Sequence, residues 1–148
     1  MRLEYFEMTD RVLDATDTRL VAEALVPEAS PVFEGHFPGY PLLPGVLMVE
    51  AMAQACGWLL VRRSGFSRIA LLAKVGEAKL RGQVRPGARL TVTAELVHDG
   101  SGYAVLKASL AEGAARVADA ELTLKTLPFP APGLEATVRA RAAAIGLS

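Results

Sequence analysis

The feature that most limits how this chain can fold is the stretch from residue 34 to residue 61, EGHFPGYPLLPGVLMVEAMAQACGWLLV. A proline- and glycine-rich loop there runs straight into a long apolar segment. Apart from Glu34 at its margin and the histidine at 36, its one charge before Arg62 is Glu50. Prolines at 38, 41 and 44 and glycines at 35, 39 and 45 impose an irregular backbone path on the loop. Pro44 suits the first helical position, because its fixed φ is helical and its missing N–H has no intrahelical partner there. The helix is expected to run to about Arg63. Arg62 and Arg63 complement the carboxyl end of the dipole, and Ser64-Gly65 supplies the stop.

A helix apolar nearly all round must be enclosed by other structure. The run from Val46 to Val61 is 16 residues long and contains Glu50 and Gln54. A membrane span needs roughly 20 apolar residues, so a buried helix is the better reading. The rest of the chain supplies a cover. Residues 19–26 (RLVAEALV) read as a strand between turn residues, and residues 69–84 as a long extended stretch with Gly76 and Gly82 as bend positions. Residues 90–97, 103–110 and 117–127 alternate like an antiparallel meander, with Asp99-Gly100 as a hairpin signal. The order strand, helix, four strands predicts an α+β domain with an antiparallel sheet wrapped around one long central helix. Its span is 1–127. Residues 128–148 then form a linker, PFPAPG, and an appended C-terminal helix over 134–146. Residues 1–15 have no clean period and read as a lead-in.

With 148 residues, half of them apolar, and zero formal charge, the chain is long enough for a substantial core and has no global footprint for nucleic acid. The lone Cys56 excludes an internal disulfide and a cysteine-based zinc site. The acidic N-terminus does not read as a signal peptide, so a cytoplasmic setting is expected.

His36 and Glu50 are the candidate catalytic pair. An imidazole takes and returns protons near neutral pH, and a carboxyl group in apolar surroundings can serve as an acid. No serine or cysteine nucleophile lies in the loop and no second metal-type ligand stands beside His36, so proton transfer, such as elimination or addition of water, fits best. Each residue also has a purely structural reading, as a loop histidine or a buried carboxyl paired with its surroundings. Gln54 lies one turn after Glu50 on the same face and can hydrogen-bond it. No side-chain cap precedes the helix, which leaves the amides of Gly45, Val46 and Leu47 to loop carbonyls, water or a ligand.

The segment GHFPGYPLLPGVLMVEAMAQACG closely resembles the signature of the Z-type 3-hydroxyacyl-[acyl-carrier-protein] dehydratases of the hot-dog fold superfamily. The resemblance extends in strand order from about residue 5 to residue 127. It implies that His36 removes the α-proton of a 3-hydroxyacyl thioester and that Glu50 helps the β-hydroxyl leave as water, with no metal or redox cofactor. Glutamate at 50 implies simple dehydration without isomerisation. The Gly45 amide, with Val46 beside it, would bind the thioester carbonyl as charge develops. Phe37 and Leu71 complete the implied substrate contacts. The family further implies a homodimer, often in trimers of dimers, with His36 and Glu50 of one site on different chains.

Two departures leave the acyl gate and a local loop open. Ala88 follows Pro86-Gly87 where the family often has aspartate, and aliphatic residues surround Leu71 where it often has an aromatic gate. The opening LEYFEM and the C-terminal extension look similar to a branch serving very-long-chain acyl groups of lipid A. Lys79, Arg81 and Arg85, with Arg62, Arg63 and Arg68 as further candidates, are a candidate seat for an acidic acyl carrier protein, and a solvated strand face accounts for them equally well. Cys56, Trp58 and Leu59 either set tunnel depth or are core. A hot-dog acyl thioesterase and a non-catalytic acyl-binding subunit are the competing readings.

Overall fold

In a computed structural model describing residues 1–148, four strands alternate buried and exposed positions. These are β2 (Arg19–Leu25), β4 (Arg89–Gly100), β5 (Tyr103–Glu112) and β6 (Ala115–Pro128). Their inward positions include Leu20, Ala22, Val92, Ala94, Leu106, Ala108, Ala120 and Leu122, all buried. Together with β1 (Arg11–Ala15) and β3 (Arg68–Leu80) they make one six-stranded sheet in the order β1-β2-β4-β5-β6-β3, antiparallel throughout. One row across it pairs Leu20, Ala94, Ala108, Ala120 and Ala78. Four of these five residues are alanine, and Ala51 and Ala55 of α2 (Gly45–Arg63) are buried. The α+β arrangement is the expected one.

Several boundaries differ from expectation. β1 was not foreseen: it is an edge strand with Arg11 and Asp14 exposed and a bulge between Val12 and Asp14, so it lacks period-two alternation. A short helix, α1 (Pro31–Gly35), also interrupts the loop. Its N-cap Ser30 accepts a hydrogen bond from Val32 N at 3.2 Å and Pro31 opens it, a Ser-Pro start signal that the turn-like context of PEASP obscured. β3 stops at Leu80, before Gly82, whereas Gly76 does sit at a register shift between Val75 and Ala78. The β4–β5 hairpin turns at Ser101-Gly102, whose φ values of 58° and 80° suit a two-residue hairpin loop. Asp99 and Gly100 belong to the strand.

Pro44 occupies the N-cap of α2, with ψ 138°, and Gly45 is the first helical residue. The helix ends as expected at Gly65, in a Schellman arrangement with Gly65 N bonded to Arg62 O and Phe66 N to Val61 O. The sheet covers one side of α2, touching it through β2 to β6. Met48, Met52, Cys56 and Leu59 fill that side. The opposite stripe, through Glu50, Gln54 and Trp58, is only half-buried, so enclosure by a single chain is one-sided. α2 is long and apolar enough to cross a membrane, with mean hydropathy 1.2, yet half of that window is packed inside the domain.

The C-terminal helix α3 (Leu134–Ala144) does more than append. It ends in a second Schellman motif at Gly146, and Ala142, Ile145 and Leu147 are buried in the same core as α2. Val12 N of β1 donates to Ile145 O at 2.7 Å, and Arg141 donates to Thr9 O at 2.9 Å. Ile145→Ala should therefore lower unfolding stability by about 2–5 kcal/mol in urea titrations, within one cooperative transition. A change within about 0.5 kcal/mol would mean that α3 is merely appended.

Candidate active site

The loop before α2 is closed on itself. Leu42 N donates to His36 O (2.9 Å), Phe37 N to Tyr40 O (3.1 Å) and Tyr40 N to Phe37 O (2.9 Å), with Gly39 at φ 75° in the turn. Leu43 N donates to Val84 O at 2.8 Å, the Tyr40 hydroxyl donates to Gln83 Oε1 at 3.1 Å, and the Arg85 guanidinium lies over the Tyr40 ring. His36 Nδ1 lies 3.0 Å from Leu42 O. A carbonyl oxygen only accepts, so this bond places the proton on Nδ1 and leaves the Nε2 lone pair available in the neutral ring. The ring stacks on Phe37 with centroids 4.1 Å apart.

At the amino end of α2, Leu47 N and Met48 N both bond to Pro44 O, at 2.9 and 3.2 Å. The Leu47 amide is thus satisfied by a loop carbonyl, one of the alternatives that the sequence left open. Gly45 N and Val46 N donate to no protein acceptor, no side chain caps them, and Val46 is 75% exposed. Two donors therefore converge at the positive end of a 19-residue helix.

Glu50 is half-buried one and a half turns further on. Gln54 holds it: Gln54 Nε2 donates to Glu50 Oε1 at 2.8 Å and to Phe6 O at 2.5 Å, and its Oε1 accepts from Met8 N at 3.0 Å. Because Met8 N can only donate and Phe6 O can only accept, the orientation of the Gln54 amide is determined. The lead-in, whose sequence carries no regular pattern, thereby acquires a role: its backbone at Phe6 and Met8 sets the angle of Gln54, which aims one oxygen of Glu50. A backbone contact of that kind leaves no signature in side-chain identity.

Glu50 stands at one end of a groove of about 360 Å³ between α2, β3 and α3. Ala53, Gly57, Trp58 and Val61 line it from α2, Ile69 to Leu72 from β3, Leu124 from β6 and Val138 from α3. Leu71 lines it and is half-exposed; Trp58 faces the groove, while Cys56 and Leu59 are core. Burial pushes the Cys56 thiol up to about 12, which leaves it inert. His36 and Phe37 do not border this groove; Phe37 faces a separate depression beside Phe33 and Pro41. No hydrogen bond or ion pair joins His36 to Glu50 within the chain.

The basic residues form no single patch. Lys79 pairs with Glu77 at 3.2 Å and Arg81 with Asp119, whose carboxyl is held below its ordinary value chiefly by that hydrogen bond. Arg81 and Arg85 lie beyond the end of β3. Arg62 and Arg63 pair with Asp17 and Asp99, and Arg68 binds Thr126 at the far end of β3, about 36 Å of extended strand from Lys79.

A FabA-like domain family matches residues 2–121. The FabZ 3-hydroxyacyl-[acyl-carrier-protein] dehydratase of Thermus thermophilus is 45% identical over 122 residues, covering 80% of this chain and 84% of that protein. The protein of the same name from Streptococcus mutans is 39% identical over 102 residues, covering 68% and 73%. Among solved structures, a variant of the thioesterase SAV0944 from Staphylococcus aureus superposes with a TM-score of 0.67 at 21% identity, covering 85% of this chain and 98% of that one. That likeness concerns the hot-dog fold alone. By the extent of the family match and the identity to these dehydratases, the chain belongs to the FabA-like family.

Proposed function

We propose that this protein is a 3-hydroxyacyl-[acyl-carrier-protein] dehydratase of fatty-acid biosynthesis, releasing water to leave a trans-2-enoyl thioester. The observation that carries the reading is a carboxyl group aimed by Gln54 at the head of an apolar groove, one and a half turns from two unpaired helix amides. An acyl thioester matches those features in order: a carbonyl oxygen for the amides, a β-hydroxyl for Glu50 and a hydrocarbon tail for the groove. The dehydratase relatives, at 45% and 39% identity, support the same chemistry.

In this reaction Nε2 of His36 takes the proton from the α-carbon. Negative charge that develops on the thioester oxygen is met by Gly45 N and Val46 N, and the helix dipole adds to their effect. The electron pair of the broken Cα–H bond becomes the Cα=Cβ bond as the Cβ–O bond breaks. Glu50, protonated on the oxygen that Gln54 does not hold, gives its proton to the departing hydroxyl, and solvent returns the proton from His36 to Glu50.

The base and the acid are supplied by two copies of the chain. Their separation within one chain supports this, as does β3, whose outer edge is unpaired and which exposes Leu71, Leu72, Val75 and Leu80. A 13-residue edge strand with apolar side chains is a template for pairing, and a second β3 across a two-fold axis would cover it. The protein acts as a cytoplasmic homodimer on acyl groups delivered by an acyl carrier protein, with Arg85 the basic residue of the original trio that no carboxylate pairs.

The purified protein supplied with a 3-hydroxyacyl carrier-protein thioester should yield enoyl product without free thiol. Free thiol without enoyl product would instead make it a thioesterase, and binding without turnover a non-catalytic subunit. His36→Ala and Glu50→Gln should each lower kcat/KM by about 10²–10⁴-fold. Gln54→Leu, which removes the hydrogen bond that aims Glu50, should lower it by about twofold to tenfold. Wild-type rates in the Gln54 variant would show that the clamp does not aim Glu50.

A further inference from the structure

The groove that starts at Glu50 follows α2 as far as Val61, a rise of about 16 Å. After Gln54 its lining is apolar, so its far end is fitted to hydrocarbon. One of its walls comes from outside the region that the family model matches, residues 2–121: Val138 of α3. Its neighbour Arg139 reaches Phe66, just beyond the carboxyl end of α2, with the guanidinium 5.1 Å from the ring centroid. Val138 thus lines the groove from the stretch of α3 that reaches towards the carboxyl end of α2. The helix that carries it is anchored at its carboxyl end, through Ala142, Ile145 and Leu147 in the core and through Arg141 to Thr9 O.

We infer that α3 closes the far end of the acyl groove and that Val138 determines the longest acyl chain the site accepts. The inference rests on the acyl-thioester reading of the same groove and adds to it a specificity-determining residue. A side chain smaller than valine at 138 opens space beyond Trp58 and Val61, and a larger one fills the groove from its end. The effect falls on the tail of the substrate, away from the reacting carbons, so it appears as a change in length preference.

The test compares wild type with Val138→Ala and Val138→Phe, single substitutions that leave the core residues of α3 intact. A graded series of 3-hydroxyacyl carrier-protein thioesters gives the ratio of long-chain to short-chain kcat/KM. That ratio should rise about tenfold in Val138→Ala and fall about tenfold in Val138→Phe. In parallel, non-hydrolysable 3-hydroxyacyl-pantetheine amides of the same lengths are titrated by the fluorescence of Trp58, the chain's single tryptophan and itself a groove residue. The longest amide that binds should shift in the same directions. Identical length profiles in all three proteins, in turnover and in binding, would overturn the inference. If wild type turned over no length, the dehydratase reading would fall, and the titrations would still decide whether Val138 ends the groove.

Discussion

The structure depends on burying α2. Its apolar surface is too broad for one curled sheet to cover: β2 to β6 take the side of Met48, Met52, Cys56 and Leu59 and leave the stripe of Glu50, Gln54 and Trp58 half in solvent. Alanines on both sheet and helix let the two approach closely along the covered side. Beside that stripe, side chains of α2, β3 and α3 leave a groove between them. The site is thus a consequence of incomplete burial, and the carboxyl group of Glu50 is tolerable within α2 because it lies on that stripe.

The same economy applies to hydrogen bonding. The loop before α2 spends its polar groups on itself: His36 Nδ1 on Leu42 O, Leu42 N on His36 O, and Phe37 and Tyr40 on each other. Nothing is left to cap the helix, so Gly45 N and Val46 N stay free. Gln54 is fully occupied by Phe6, Met8 and Glu50, which fixes the direction of the Glu50 carboxyl group. Rigid, satisfied neighbours around a few unsatisfied groups are what a preorganised site requires.

How much of this could be read from residues alone follows from the range of each interaction. Strands β2, β4, β5 and β6 were legible because each has one face in the core and one in water, and α2 because its caps, stop and apolar run are local. β1 was not, since a bulged edge strand with charged residues shows no alternation. The hairpin turn was displaced by two residues because Asp99-Gly100 and Ser101-Gly102 are both turn dipeptides, and only pairing across the strands chooses between them. Within the site, the motif marked His36, Glu50 and the amides of the helix start as candidates. The hold of Phe6 and Met8 on Gln54 runs through backbone atoms 46 and 48 residues away, and Val138 is one valine in an alanine- and arginine-rich helix. Neither leaves a local pattern. For Lys79, Arg81 and Arg85, residue type left a patch and a solvated face equally open, and the pairing of two of them with Glu77 and Asp119 is set by neighbours that residue type alone does not show.

The central claim is that α2 presents Glu50 outward to a site completed by His36 of a second copy. Mixing His36→Ala with Glu50→Gln protein under conditions that exchange subunits tests it most directly, with exchange verified by a mass tag on one partner. At equal amounts, half of the dimers are mixed and each carries one site with both groups intact, so activity should return to about a quarter of wild type. Verified exchange with no recovery of turnover would contradict the shared site.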